Sequence, residues 1–178
     1  MKVGNLTFTP VAAALDLVGA PVQRYLGEHD PDGLWASAID PALADTAQFC
    51  LHYDIGLDVS ANCVVVEARR ADRTWYAACL VLATSRADVN GIVRKRLDAR
   101  RISFAGMDTA VSLTDMEYGG ITPVGLPPEW PILIDEGVVD ARRVIIGSGV
   151  RASKLYATAE ALTSLPNAEV LAITKPGQ

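Results

Sequence analysis

Residues 117–127 read Glu-Tyr-Gly-Gly-Ile-Thr-Pro-Val-Gly-Leu-Pro, and neither a regular helix nor a central strand accommodates them. Gly119, Gly120 and Gly125 admit positive φ and close backbone approach, whereas Pro123 and Pro127 freeze their own φ and donate no backbone hydrogen bond. The pattern predicts a stiff loop whose backbone groups line a small pocket. A second loop, Gly147-Ser148-Gly149, follows the apolar run Val144-Ile145-Ile146. Two such loops in one small chain point to a site built largely from backbone. Taken singly, each also reads as an ordinary tight turn.

Composition narrows the class. A chain of 178 residues suits one domain with a sizeable core. Half of the residues are hydrophobic and 21% are charged, which is the balance of a globular protein and not of a disordered one. The longest apolar run, Thr74 to Ser85, is too short for a membrane span of roughly 18–20 residues and fits a buried strand. Pro10 and Asp16 interrupt the N-terminus where a signal peptide needs an apolar stretch, so a cytoplasmic location is expected. Cys50, Cys63 and Cys79 are widely spaced, and His29 and His52 stand apart from other ligand types. That spacing fits neither a disulfide framework nor a zinc site, and no metal or cofactor is expected. Ser148 lies in Gly-Ser-Gly, not in the GxSxG elbow of a serine hydrolase.

Strand-like and helix-like segments alternate. Thr9-Pro10 reads as a cap opening a helix to about Val18, stopped by Gly19 and Pro21, with a polar loop over 27–38. Asp40-Pro41 repeats the cap signal ahead of a helix bearing Leu43, Ala47, Cys50 and Leu51 on one stripe, closed by Gly56. Residues 62–68 and 74–83 read as a hairpin. A helix over 86–97 buries Val89, Val93 and Leu97. A strand at 102–105, a helix at 108–113 capped by Asp108, strands at 132–134, 144–146 and 170–173, and a helix capped by Thr158 complete the pattern. The expected fold class is mixed α/β (α+β), with a mostly antiparallel curved sheet or partial barrel surrounded by helices. Neither G-x-G-x-x-G nor a Walker A sequence is present, so a dinucleotide or P-loop fold is not expected.

Net charge is −5, yet residues 86–101 hold Arg86, Arg94, Lys95, Arg96, Arg100 and Arg101 against only Asp88 and Asp98. A cluster opposing the overall sign suits the phosphates of a single-stranded end; the alternative is a solvated surface. Tyr118 and Trp130 flank the first glycine loop and are candidates for stacking on a terminal base or for packing the loop.

The segments GGITPVGLP, WPILID and VIIGSGVRASKL together resemble the YbaK/prolyl-tRNA-synthetase-associated domain family of aminoacyl-tRNA editing domains. The resemblance covers roughly residues 45–173. It implies one domain over 1–178, made of a helix-and-loop extension (1–40) and an editing-domain-like core (41–174). It also implies a trans-editing deacylase acting on a mischarged tRNA acceptor end, which the length of the chain leads us to expect to be free-standing, and association with an aminoacyl-tRNA synthetase. The matching positions make Gly120 and Ser148 catalytic candidates and Tyr118, Gly119, Thr122, Pro123, Gly147, Gly149 and Arg151 substrate-binding ones. Arg94, Lys95, Arg100 and Arg101 become candidates for tRNA contact.

One departure matters. The family carries a lysine at the start of the first hairpin strand, central to its activity, and here that position aligns with Asn62. A neutral amide cannot replace an ammonium that holds developing negative charge. Either another cation replaces it, or the substrate differs, or the chain is a noncatalytic module that binds an aminoacyl-nucleotide, a tRNA end or a protein partner. Lys154, just after the second glycine loop, is the candidate replacement. An aminoacyl ester is already activated, so its hydrolysis needs a placed water and oxyanion donors more than a strong nucleophile. The N–H groups of Gly120, Gly147, Ser148 and Gly149 are candidate donors.

Overall fold

The computed structural model describes residues 1–29 and 32–175. In chain order the strands are β1 (Lys2–Val3), β2 (Leu6–Thr7), β3 (Thr9–Pro10), β4 (Leu34–Ala38), β5 (Ala61–Arg70), β6 (Arg73–Leu82), β7 (Arg101–Phe104), β8 (Ile132–Asp135), β9 (Arg143–Gly147), β10 (Ser153–Thr158) and β11 (Ala168–Leu171). The helices are α1 (Ala20–Glu28), α2 (Thr46–Tyr53), α3 (Arg94–Arg96), α4 (Met107–Thr114), α5 (Glu136–Asp140) and α6 (Ala159–Thr163). Among the described residues, no helix is long and apolar enough to cross a membrane.

Two open sheets carry the fold. One runs β3-β4-β10-β9 and the other β11-β8-β6-β5-β7. Strand pairing is mostly antiparallel, the exceptions being β8 with β6 and with β11. A parallel bridge between Ser60 and Ile145 joins the sheets where β5 begins. The mixed α/β class with mostly antiparallel pairing is therefore what the sequence led us to expect.

Strand alternation sorts side chains into three packed layers. Leu80, Ile134, Val144, Ile146 and Leu155 fill the core between the sheets. Cys79, Val81 and Leu133 face the other way, under the turn that carries Val89, Val93 and Leu97. Ile145 points to the opposite outer face, beneath Phe49 and Cys50 of α2.

Several elements differ from expectation. Gly19 and Pro21 open α1 instead of ending a helix: Gly19 is its N-cap, and its carbonyl accepts from Gln23 N at 3.0 Å. A proline in the first turn gives up no intrahelical bond, so it suits a helix start as well as a stop. Residues 11–17 form two 3-10 turns, and the expected loop over 27–38 ends in β4; its residues 30 and 31 lie outside the described residues. Asp40 caps only the 3-10 turn Pro41–Leu43, whereas Asp45 caps α2, its carboxylate accepting from Ala47 N and Gln48 N. Gly106, not Asp108, stands at the N-cap of α4. The helix expected over 86–97 is a π turn (Val89–Val93) running into α3, though Val89, Val93 and Leu97 are buried as expected.

Leu51 is 87% exposed, so the buried face of α2 is Phe49 and Cys50. Phe49→Ala is accordingly expected to lose about 3–5 kcal/mol of stability in chemical denaturation. Leu51→Ala should stay within about 0.5 kcal/mol of the parent.

Candidate functional site

The two glycine loops meet backbone to backbone. Gly149 N donates to Gly120 O at 2.7 Å, and Glu117 N donates to Gly149 O at 3.0 Å. A methyl group at Gly120 would lie 2.5 Å from the Val150 carbonyl, and one at Gly147 would lie 2.5 Å from Gly120 O. Neither position has room for any side chain. Arg151 staples the join: its guanidinium donates to Tyr118 O at 3.1 Å and to Pro41 O at 3.0 Å, and its own N–H reaches the Glu117 carboxylate at 2.5 Å.

Beside this join lies a pocket of about 370 Å³. Its walls are Asp45 and Thr46 at the start of α2, Asn62 to Val65 on β5, Phe104 and Ala105, Tyr118 and Gly119, and Gly147 with Lys154. β7 pairs with β5 only from Val66 to Arg69, so the first half of β5 is left open to the pocket.

Of the expected site residues, the fold brings Asn62, Tyr118, Gly119, Gly147 and Lys154 to this one pocket. Other positions fall elsewhere. Ser148 is fully buried, its hydroxyl donating to Ser153 O at 2.9 Å and accepting from the Ser153 hydroxyl at 2.7 Å. That hydroxyl serves the turn and does not face the pocket. The N–H groups of Gly120 and Gly149 are spent on Glu117 O and Gly120 O, so they are not free oxyanion donors. Thr122 is fully buried with its hydroxyl unpaired, and Pro123 lines a separate groove of about 390 Å³ against α1. Trp130 is buried and stacked on Tyr76 at 5.5 Å, behind the pocket, which makes it a packing aromatic. Arg94, Arg100 and Arg101 share a surface cleft of about 590 Å³ with Glu67, Arg69 and Asn90; Lys95 is not on its wall.

Lys154 is the pocket's cation. Its position on β10 follows from alternation: Leu155 points into the core between the sheets, so Lys154 points to the α2 side. Directly opposite it in register stands Gly147, which has no side chain to compete for the space. The residue is only 6% exposed. Its ammonium donates to Ala44 O at 3.0 Å and lies 5.1 Å over the Phe49 ring. Burial lowers its pKa from the ordinary lysine value to about 8; Cys50 and Asp45 oppose the shift and Arg151 adds to it. Asn62 has a neutral partner instead, accepting from the Thr46 hydroxyl at 2.7 Å.

Sequence reasoning missed Asp45, Thr46, Cys63 and Phe104. Asp45-x-x-Gln48 is a capping-box-like signal that could have placed the start of α2. Nothing local marks Phe104. Burial, with the neighbouring Cys79 adding, pushes the Cys63 thiol upward, so it is not a thiolate nucleophile at neutral pH. Among the described residues, no group of three or more His, Cys, Asp or Glu is placed to hold a metal.

The chain belongs to the aminoacyl-tRNA editing domain family, whose model matches residues 40–165. Solved structures share its fold. A protein provisionally described as a trans-editing enzyme for prolyl tRNA synthetase superposes with a TM-score of 0.73 at 18% identity, covering 89% of this chain and 99% of the other. The hypothetical protein APE2540 superposes with a TM-score of 0.76 at 16% identity, covering 87% and 99%. A scaffold from epitope backbone grafting by computational design superposes at 0.75 and 18% identity, covering 88% and 96%. No curated protein matches the sequence.

Two outcomes follow from this geometry. Gly120→Ala should lower stability by about 1–3 kcal/mol in thermal or chemical unfolding, because backbone and not a flexible side chain must yield. The depressed Lys154 pKa means that between about pH 8 and the ordinary lysine range the unfolded chain binds more protons than the folded one. Stability from this group therefore rises with pH across that window, and the burial penalty is fully present below it. The difference in unfolding free energy between the parent and Lys154→Met should shift in the parent's favour as pH rises through that window.

Proposed function

We propose that the protein is a trans-editing deacylase, hydrolysing the ester that links a wrong amino acid to tRNA, with Lys154 in place of the family lysine. The observation that carries this reading is a buried ammonium on the wall of the same pocket as Asn62. In this scheme the aminoacyl ester enters the pocket and a water attacks its carbonyl carbon. The Lys154 ammonium offsets the charge on the tetrahedral oxygen. Its partial desolvation strengthens that effect relative to an exposed lysine. The terminal ribose oxygen leaves with the proton given up by the water, and its neighbouring 2′-hydroxyl is available to place that water. Side chains around the pocket select the amino acid by size, at ~1–3 kcal/mol per methylene. Cytoplasm, where charged tRNA is used, is the proposed place of action, and an aminoacyl-tRNA synthetase is a proposed associate.

The Thr46–Asn62 hydrogen bond favours a second reading. A neutral pair at the family lysine position suits a module that binds an aminoacyl-nucleotide or a tRNA end without cleaving it. Deacylation of a panel of mischarged tRNAs separates the two: a deacylase clears at least one, and a module clears none.

If the deacylase reading holds, Lys154→Met lowers the single-turnover rate at least tenfold, about 1.4 kcal/mol in barrier, while the protein stays folded. Charged lysine is the active form. The enzymatic rate, corrected for spontaneous ester hydrolysis, should therefore fall as pH rises through about 8. That inflection should be absent from the residual rate of the variant.

A further inference from the structure

The wall of the main pocket carries two charges of opposite sign. Asp45 supplies a carboxylate and Lys154 an ammonium, and the other lining residues are neutral. The two are neighbours because Lys154 Nζ donates at 3.0 Å to the carbonyl of Ala44, the residue just before Asp45. They nevertheless form no ion pair among the described residues. Asp45 is held by its own helix: Oδ1 accepts from Ala47 N at 3.1 Å and from Gln48 N at 3.5 Å. Oδ2 accepts no hydrogen bond from a described residue, and the residue is exposed. The cap fixes the carboxylate in place and leaves one oxygen open.

Capping alone does not call for this charge, since Asn and Ser cap a helix about as well as Asp. A fixed anion also repels any phosphate or developing oxyanion nearby, so it disfavours the proposed chemistry unless the ligand brings a positive group to it. An α-aminoacyl ester brings one. Its ammonium and its carbonyl carbon are bonded to the same carbon, so they match two opposite charges carried by adjacent parts of one wall. With the carbonyl oxygen toward Lys154, the ammonium falls toward Asp45. Val65, Ala105, Ala110 and Ile121, the apolar part of the lining, are left for the side chain. A metal ion or a lysine of a protein partner would use Asp45 but meet the repulsion of Lys154 beside it.

We propose that Asp45 binds the α-ammonium of the aminoacyl group, so that the pocket takes aminoacyl esters with an unblocked amine and rejects N-acylated ones. This assignment rests on the pocket being the site of an aminoacyl ester, and it makes Asp45 a substrate-binding residue as well as a helix cap.

The test is calorimetric titration of the whole protein with 3′-amino-3′-deoxyadenosine bearing an alanyl or valyl group in amide linkage. Each is compared with its α-hydroxy counterpart, lactyl or 2-hydroxyisovaleryl, which keeps the size and loses the charge. N-acetylalanyl amide and alanine alone complete the set. Titration at about pH 6 keeps the α-amine protonated, below its ordinary range of about 7.7–8.0. The parent should bind each amine at least about tenfold more tightly than its hydroxy counterpart, as a hydrogen bond to a charged group allows. The N-acetylalanyl probe should bind no better than the lactyl one. Asp45→Asn should lose the preference, with amine affinity falling about tenfold, hydroxy affinity unchanged and the unfolding midpoint close to the parent's. Asp45→Ser, a second neutral cap, should behave in the same way. A preference that persists in both variants, or no preference in the parent, would overturn the assignment. So would binding of alanine alone as tightly as its amide, or no binding of any probe. Because the probes have no ester, a protein that clears no mischarged tRNA can still show the preference. A protein that clears mischarged tRNA without showing it refutes only the role of Asp45.

Discussion

Everything at the site depends on the contact between two glycine loops with no side chain between them. Gly120 O receives Gly149 N, and the backbone of residues 120 and 121 lies directly over Gly147. This places the end of β9 and the loop before Pro123 at van der Waals contact, closer than any residue with a Cβ permits. Arg151 then fixes the join from outside through two carbonyls. The same contact covers Gly147 with backbone, and Lys154 stands opposite it in register.

Burying an ammonium is unfavourable unless it finds partners, and Lys154 finds an incomplete set. One carbonyl and one aromatic face engage it, which leaves part of its donor capacity for whatever enters the pocket. A fully paired lysine would be a structural group; a partly paired one retains attraction for developing negative charge. Asp45 adds a constraint on that reading. Its carboxylate already caps α2, so the helix N-terminus facing the pocket carries an anion of its own and offers little to a bound phosphate. Positive potential within the pocket walls comes chiefly from Lys154.

Much of this was legible before the structure. The two glycine loops were readable as one site because Gly admits conformations and close backbone approaches that other residues do not, while Pro fixes its own φ, whatever the tertiary context. Continuous β-branched and apolar runs gave the β5–β6 hairpin, β8 and β9, with the core residues Ile134 and Ile146 among them. What failed was directional or long-range. Pro21 is compatible with starting and with ending a helix, and only the bond from Gln23 N to Gly19 O decides. β10 was hidden because Ser153-Lys154 breaks the apolar pattern, yet that break is where the pocket cation sits. Ser148 looked like a site residue by sequence position, but turn geometry directs its hydroxyl inward to Ser153. Phe104 could not be found locally, since its exposure reflects the short pairing of β7 with β5, four residues against the ten of the hairpin.

The central claim is that the pocket's positive charge has moved from the family's strand position to β10. It is tested most directly by moving the charge back. Single-turnover hydrolysis of mischarged tRNA would be followed for Lys154→Met and for the double variant Asn62→Lys with Lys154→Met. If one cation in this pocket is what the chemistry needs, the double variant hydrolyses the ester faster than Lys154→Met alone. Activity that survives intact in Lys154→Met, with nothing gained from a lysine at position 62, would contradict it.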